Sequence, residues 1–159
     1  MVSKAWSDKR RQPLRVILDS ELEISPEAKI INVAGDVIIF HQSNNKGRQE
    51  QLENKGAELV TIEEARGTAF LNQVLNILAR EKEINEILLE TGSTLAGEML
   101  QAGLIDELII YIAPALLGHD AKSLFQLPLL NNMSDRISLD FSDIRSIGKD
   151  IRIKATVNR

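Results

Sequence analysis

The sequence predicts an α/β layered domain with a mixed sheet, parallel in its first two-thirds and antiparallel at one edge. Three observations predict it. Short β-branched runs alternate with helical stretches as far as Gly103. The run Leu108–Pro114 (LIIYIAP) is apolar almost without interruption, as in a strand covered on both faces. Two alternating runs separated by Gly148-Lys149-Asp150 then close the chain as a hairpin.

Met1–Gln12 carries Lys4, Lys9, Arg10 and Arg11 without apolar periodicity and reads as an extended lead-in to one domain over residues 13–159. Leu14–Leu18 is a buried strand closed by Asp19-Ser20, Val37–Phe40 a second, and Ala57–Val60 a shorter third. Arg48–Asn54 between the last two reads as a short helix. Thr68–Lys82 places Leu71, Val74, Leu75 and Leu78 on one helical face, with Thr68 as the cap. Glu86–Glu90 reads as a strand, and Thr94–Gln101 as a helix stopped by Gly103, whose missing Cβ suits a left-handed end. Leu108–Pro114 is expected at the centre of the sheet. Ile137, Leu139 and Phe141 alternate with polar neighbours, as do Ile151, Ile153, Ala155 and Val157, which gives the hairpin.

Bulk properties exclude several function classes. A net charge of -4 over 159 residues, with Lys and Arg scattered among acids, offers no basic field for nucleic acid. With no cysteine there is no disulfide, thiolate nucleophile or Cys-ligated metal, which fits a reducing cytoplasm. No apolar run reaches the ~20 residues of a membrane span, and the first residues lack a signal-peptide core. His41 and His119 lack metal-site spacing and read as surface or loop residues, and no nucleophile-elbow motif is present.

The chemistry concentrates in Glu90-Thr91-Gly92-Ser93-Thr94-Leu95-Ala96-Gly97-Glu98, a turn from strand into helix. Ligands of parallel α/β sheets bind beyond the carboxyl ends of the strands. Gly92 lets the backbone approach an anion, and the first helical amides and the dipole attract it. Ser93 and Thr94 add hydroxyls, and Gly97 keeps the helix close to its neighbours. Phosphate binding is one reading; an ordinary capped helix start is the other. Glu90, at the end of an apolar strand, either meets a ligand or is a solvated strand end. Ser20 either touches a cofactor or begins a turn.

Longer stretches carry a resemblance. Ile87–Gly97 (ILLETGSTLAG), Leu100–Leu108 (LQAGLIDEL), Tyr111–Gly118 (YIAPALLG), Gln12–Ser20 (QPLRVILDS) and Ile144–Arg152 (IRSIGKDIR) closely resemble the reductase domain of the bacterial bifunctional riboflavin-biosynthesis deaminase/reductase. The resemblance covers nearly the whole chain. It implies a dihydrofolate-reductase-like fold and NADPH-dependent reduction of the ribose of 5-amino-6-(5-phosphoribosylamino)uracil to a ribityl chain. It also implies that Ser20 and Gly92, Ser93, Thr94, Leu95, Ala96, Gly97 and Glu98 touch NADPH, that Glu90 touches substrate, and that the protein is a homodimer. No acid or base can be named. The family's zinc deaminase domain is absent from this sequence, as is the strand, helix and strand that open its reductase domain. The expectations are therefore weak or absent isolated turnover and open sheet edges. A cofactor-binding remnant or a dimerisation module are the alternatives.

Overall fold

Five consecutive buried residues, Val37-Ile38-Ile39-Phe40-His41, form the strand around which the first part of the molecule is built. A computed structural model of the chain describes residues 12–63 and 66–158. It divides between Lys82 and Glu83 into two compact units. The lead-in expected over Met1–Gln12 lies, but for Gln12, outside the described residues.

The first unit runs β1 (Arg15–Leu18), α1 (Lys29–Asn32), β2 (Val37–His41), α2 (Lys46–Glu53), β3 (Glu58–Thr61) and α3 (Thr68–Arg80). Its strands are all parallel in the order β1-β2-β3, with Ile17 opposite Ile39 and Ile39 opposite Leu59. Branched apolar residues on both faces of β2 suit this central place. One face meets a core of Leu22, Ile31, Val37, Ile39, Leu52 and Ala57. Along α3, Phe70, Leu71, Val74 and Leu78 are buried at helical spacing. Thr68 is the first helical residue rather than the cap: Gly67, at φ 52, makes the turn into the helix one residue earlier, and no side chain caps it. Helix α1 has four residues, too few to leave a periodic signal. His41 is not a surface or loop residue. It ends β2 at 1% exposure, because the strand is covered to its last position, and its Nε2 lies 3.3 Å from Thr61 Oγ1.

The second unit opens with an extended segment, then α4 (Ser93–Gln101), β4 (Glu107–Ile112), a short 3-10 turn (Met133–Asp135), β5 (Leu139–Ile147) and β6 (Asp150–Val157). The strand expected at Glu86–Glu90 is not formed. These residues join no ladder among the described residues, and Leu88 is 77% exposed. An apolar run such as Ile87-Leu88-Leu89 is compatible with an extended backbone, but a strand also needs a neighbour to bond to. Helix α4 ends as expected, with Gly103 at φ 66.

The antiparallel sheet has the order β4-β6-β5. β4 is thus an edge strand, not the central one, and only Leu108 in it is buried. Its apolar run fits cover on two faces, yet says nothing about which strand lies between two others. Leu100, Leu108 and Val157 form the core here, with Ile105, Ile110, Phe125 and Leu139 against it. The expected hairpin is present, turning at Gly148, φ 63, with a bulge between Phe141 and Asp143. Across the sheet Lys154 pairs with Glu107 at 2.7 Å, while Asp143 pairs with Arg145 along β5 at 2.7 Å and with Arg152 on β6 at 2.6 Å. The two guanidinium groups hold the Asp143 carboxyl down to about 2 from its ordinary 3.8.

Candidate functional site

Helix α4 starts at Ser93 with Gly92 before it, and no side chain caps its N-terminus. The leading amides of a helix have no partner within it, so here they face outward with the positive end of the dipole. Gly92 has φ -74 and ψ 169, ordinary extended backbone. Its glycine is not required by conformation. A Cβ there would meet nothing within 4 Å, so what glycine provides is an unobstructed approach to the amides.

Gly97 is under a different constraint. A Cβ on it would lie 2.2 Å from the carbonyl oxygen of Gln126 and 2.9 Å from its carbon. Helix backbone and loop backbone touch there, as the expected close packing of Gly97 requires. The same loop residue binds the helix start twice: Gln126 N donates to Ser93 O at 2.9 Å, and Thr94 Oγ1 donates to Gln126 Oε1 at 2.9 Å. The Thr94 proton is thereby used within the chain. Ala96 and Gly97 are buried, Ser93 and Leu95 half-buried, and Gly92, Thr94 and Glu98 exposed. Glu90 is exposed in the extended segment leading to Gly92, so the burial that made its carboxylate unusual is not there.

Ser20 belongs to the first unit. It is exposed, and its backbone is fixed: Asp19 N donates to Phe40 O at 3.0 Å and Gln42 N to Ser20 O at 2.9 Å. Both bonds tie it to the end of β2. Burial lowers the pKa of His41, the neighbouring strand end, and so favours neutral imidazole. The structure therefore gathers Glu90 and Gly92–Glu98 along one stretch and presents Ser20 separately at the carboxyl edge of the parallel sheet.

Gln126 and Arg48 are the residues that sequence reasoning passed over. Arg48 entered only as the first residue of an expected short helix, and Gln126 lies in a long apolar loop with no motif of its own. Gly97 was the sole hint of a close neighbour, and it did not say which.

Among the described residues no group of three or more His, Cys, Asp or Glu is placed to hold a metal, and no helix is long and apolar enough to cross a membrane.

This mixed α/β fold, with parallel and antiparallel sheets, is that of the dihydrofolate-reductase-like reductases. Residues 1–153 match the model of the RibD C-terminal domain, and the chain belongs to that family. The riboflavin biosynthesis protein RibD of Escherichia coli (strain K12) is 38% identical over 141 residues, 89% of this chain and 37% of that protein. The 5-amino-6-(5-phosphoribosylamino)uracil reductase of Buchnera aphidicola subsp. Acyrthosiphon pisum (strain APS) is 33% identical over 90% of this chain and 67% of its own length. The solved structure of Acinetobacter baumannii RibD superposes with a TM-score of 0.78 at 29% identity, covering 91% of this chain and 37% of that one. The chain thus spans little more than a third of the RibD relatives it matches.

Proposed function

We propose that this chain carries the NADPH-dependent reduction of 5-amino-6-(5-phosphoribosylamino)uracil to its ribitylamino product. The observation that carries the reading is the uncapped, glycine-led start of α4, open above Gly92 and held in place by Gln126. Its donor set fits a pyrophosphate. Family membership and the Buchnera relative's name supply the reaction, and the choice of NADPH over NADH rests on the family alone.

In this reading the first-turn amides with Ser93 bind the pyrophosphate. Gly92, Thr94 and Leu95 line it, Ala96 and Gly97 set the helix depth, and Glu98 stands one turn further on. Ser20 touches the cofactor and Glu90 accepts hydrogen bonds from substrate. When bound, the cofactor supplies the hydride that reduces the opened sugar. The chain's share is to place the reactants and to keep the helix start aimed at negative charge. Exposed Ile112, Phe141, Ile144 and Ile151, which the register places on one face of the antiparallel sheet, support a homodimer, and a cysteine-free chain suits the cytoplasm.

The test is substrate-dependent loss of NADPH absorbance with the full chain, beside NADPH binding by calorimetry. Glu90→Gln is expected to raise KM for substrate about tenfold, as loss of a charged acceptor should, with NADPH affinity unchanged. NADPH binding without oxidation would instead mark a cofactor-binding module. Neither binding nor oxidation, in a chain that sediments as a tight dimer, would leave only a dimerisation role.

A further inference from the structure

The turn that carries Ser20 is held far more tightly than a surface turn needs. Both oxygens of Asp19 accept backbone amides, Oδ1 from Glu23 N at 3.0 Å and Oδ2 from Ile24 N at 2.8 Å. Leu22 N donates to the Asp19 carbonyl at 3.1 Å. From α2, Arg48 reaches the same turn: its Nε donates to Leu22 O at 3.0 Å and its Nη2 to Ile24 O at 2.6 Å. Its remaining nitrogen, Nη1, donates to Gln51 Oε1 at 3.1 Å. Every guanidinium nitrogen is committed, and two of the three hold this one turn.

Between the anchors lies Leu22, at φ 56 and 1% exposure. The left-handed region is one that an L residue bearing a Cβ holds only where its surroundings over-determine it. A turn that merely reversed the chain would take glycine there. Here the side chain is sunk in the core beside Ile31, Val37 and Ile39, so the backbone cannot relax without pulling leucine out of its packing. Two residues away, Ser20 stands exposed on a rigid frame.

We infer that Arg48 and Asp19 are positioning residues for Ser20, fixing its hydroxyl for the cofactor through the strained link at Leu22. The inference rests on the reading of Ser20 as a cofactor contact. Neither residue is expected to touch the ligand, since the polar atoms of both are taken up by the chain itself. Arg48 is suited to the task because its planar fork meets two carbonyls at once, a geometry lysine cannot reproduce.

The experiment is a double-mutant cycle on NADPH affinity, measured by calorimetry on the full chain, with thermal melting alongside. Ser20→Ala and Arg48→Lys are each expected to weaken NADPH about tenfold, the size of one charge-assisted hydrogen bond. The double variant is expected to bind no more weakly than either single one, because Arg48 acts only through Ser20. A purely structural role would lower the melting temperature without that coupling. Asp19→Asn, which keeps one backbone acceptor, serves the same cycle if Arg48→Lys does not fold. Independent losses in the double variant, or wild-type affinity in Arg48→Lys, overturn the inference while leaving Ser20 in place. Wild-type affinity in Ser20→Ala overturns the reading of Ser20, and the inference with it.

Discussion

β2 and β4 are written in nearly the same alphabet, Val-Ile-Ile-Phe-His against Glu-Leu-Ile-Ile-Tyr-Ile, and meet opposite fates. In the first unit β2 lies between two parallel neighbours, and all five of its residues are buried. In the second, β4 is an edge strand with Ile109 51% and Tyr111 59% exposed. An apolar run encodes a capacity for burial; the elements laid over it decide how much is realised. Apolar area counts toward stability only where it leaves water, at roughly 25 cal/mol per Å².

The contrast is sharpest in core truncations. Ile39→Ala is expected to cost about 2–5 kcal/mol in chemical denaturation, because Ile39 is fully covered between β1 and β3. Ile109→Ala should stay within about 0.5 kcal/mol. Equal costs would break the comparison.

The next effect separates the units by pH. His41 has its pKa lowered by burial, so between its ordinary value of 6.5 and its lower folded value the unfolded chain binds more protons. Stability should therefore fall as pH drops below 6.5, by at most about 1.4 kcal/mol per pH unit. His41→Gln should flatten that limb in melts of the first unit's strands. A slope that persists in the variant would assign it to another group.

The smallest effect belongs to the second unit. With the Asp143 carboxyl held at about 2 against an ordinary 3.8, its ion pairs contribute above that range and are lost as pH falls through it. Asp143→Asn should remove a shallow acid limb and change little at neutral pH. A large loss at neutral pH would mean that the network does more than a surface network does.

The parallel half was legible because its signals are local: branched runs such as Val37–Phe40 and the polar cluster after them mark strand and turn within a few residues. The hairpin was legible for the same reason. Glu86–Glu90 was not, because pairing is a property of the neighbour as much as of the segment. His41 misled for a related reason: a polar residue closing an apolar run looks like the strand meeting water, yet Thr61 on β3 gives its ring a partner and the sheet covers it. At the candidate site, Gly92 and Gly97 could be read as glycines with work to do. Their tasks differ, open approach for one and backbone contact for the other, and only the position of Gln126 tells them apart. Arg48 was invisible because its role depends on the fold bringing α2 beside a turn more than twenty residues earlier.

The crossing of Gly97 and Gln126 distributes mutational freedom unequally between two touching residues. The contact is a Cα position against a carbonyl, so it restricts what may stand at 97 far more than what stands at 126. The loop could change its side chain there, losing one bond to Thr94, and still press on the helix and accept the same seat. The helix has no such latitude: any residue with a Cβ must push the loop away and, through Gln126 N and Ser93 O, disturb the turn that leads α4. In a population of variant sequences, position 97 would be nearly frozen beside a partner with more room to vary.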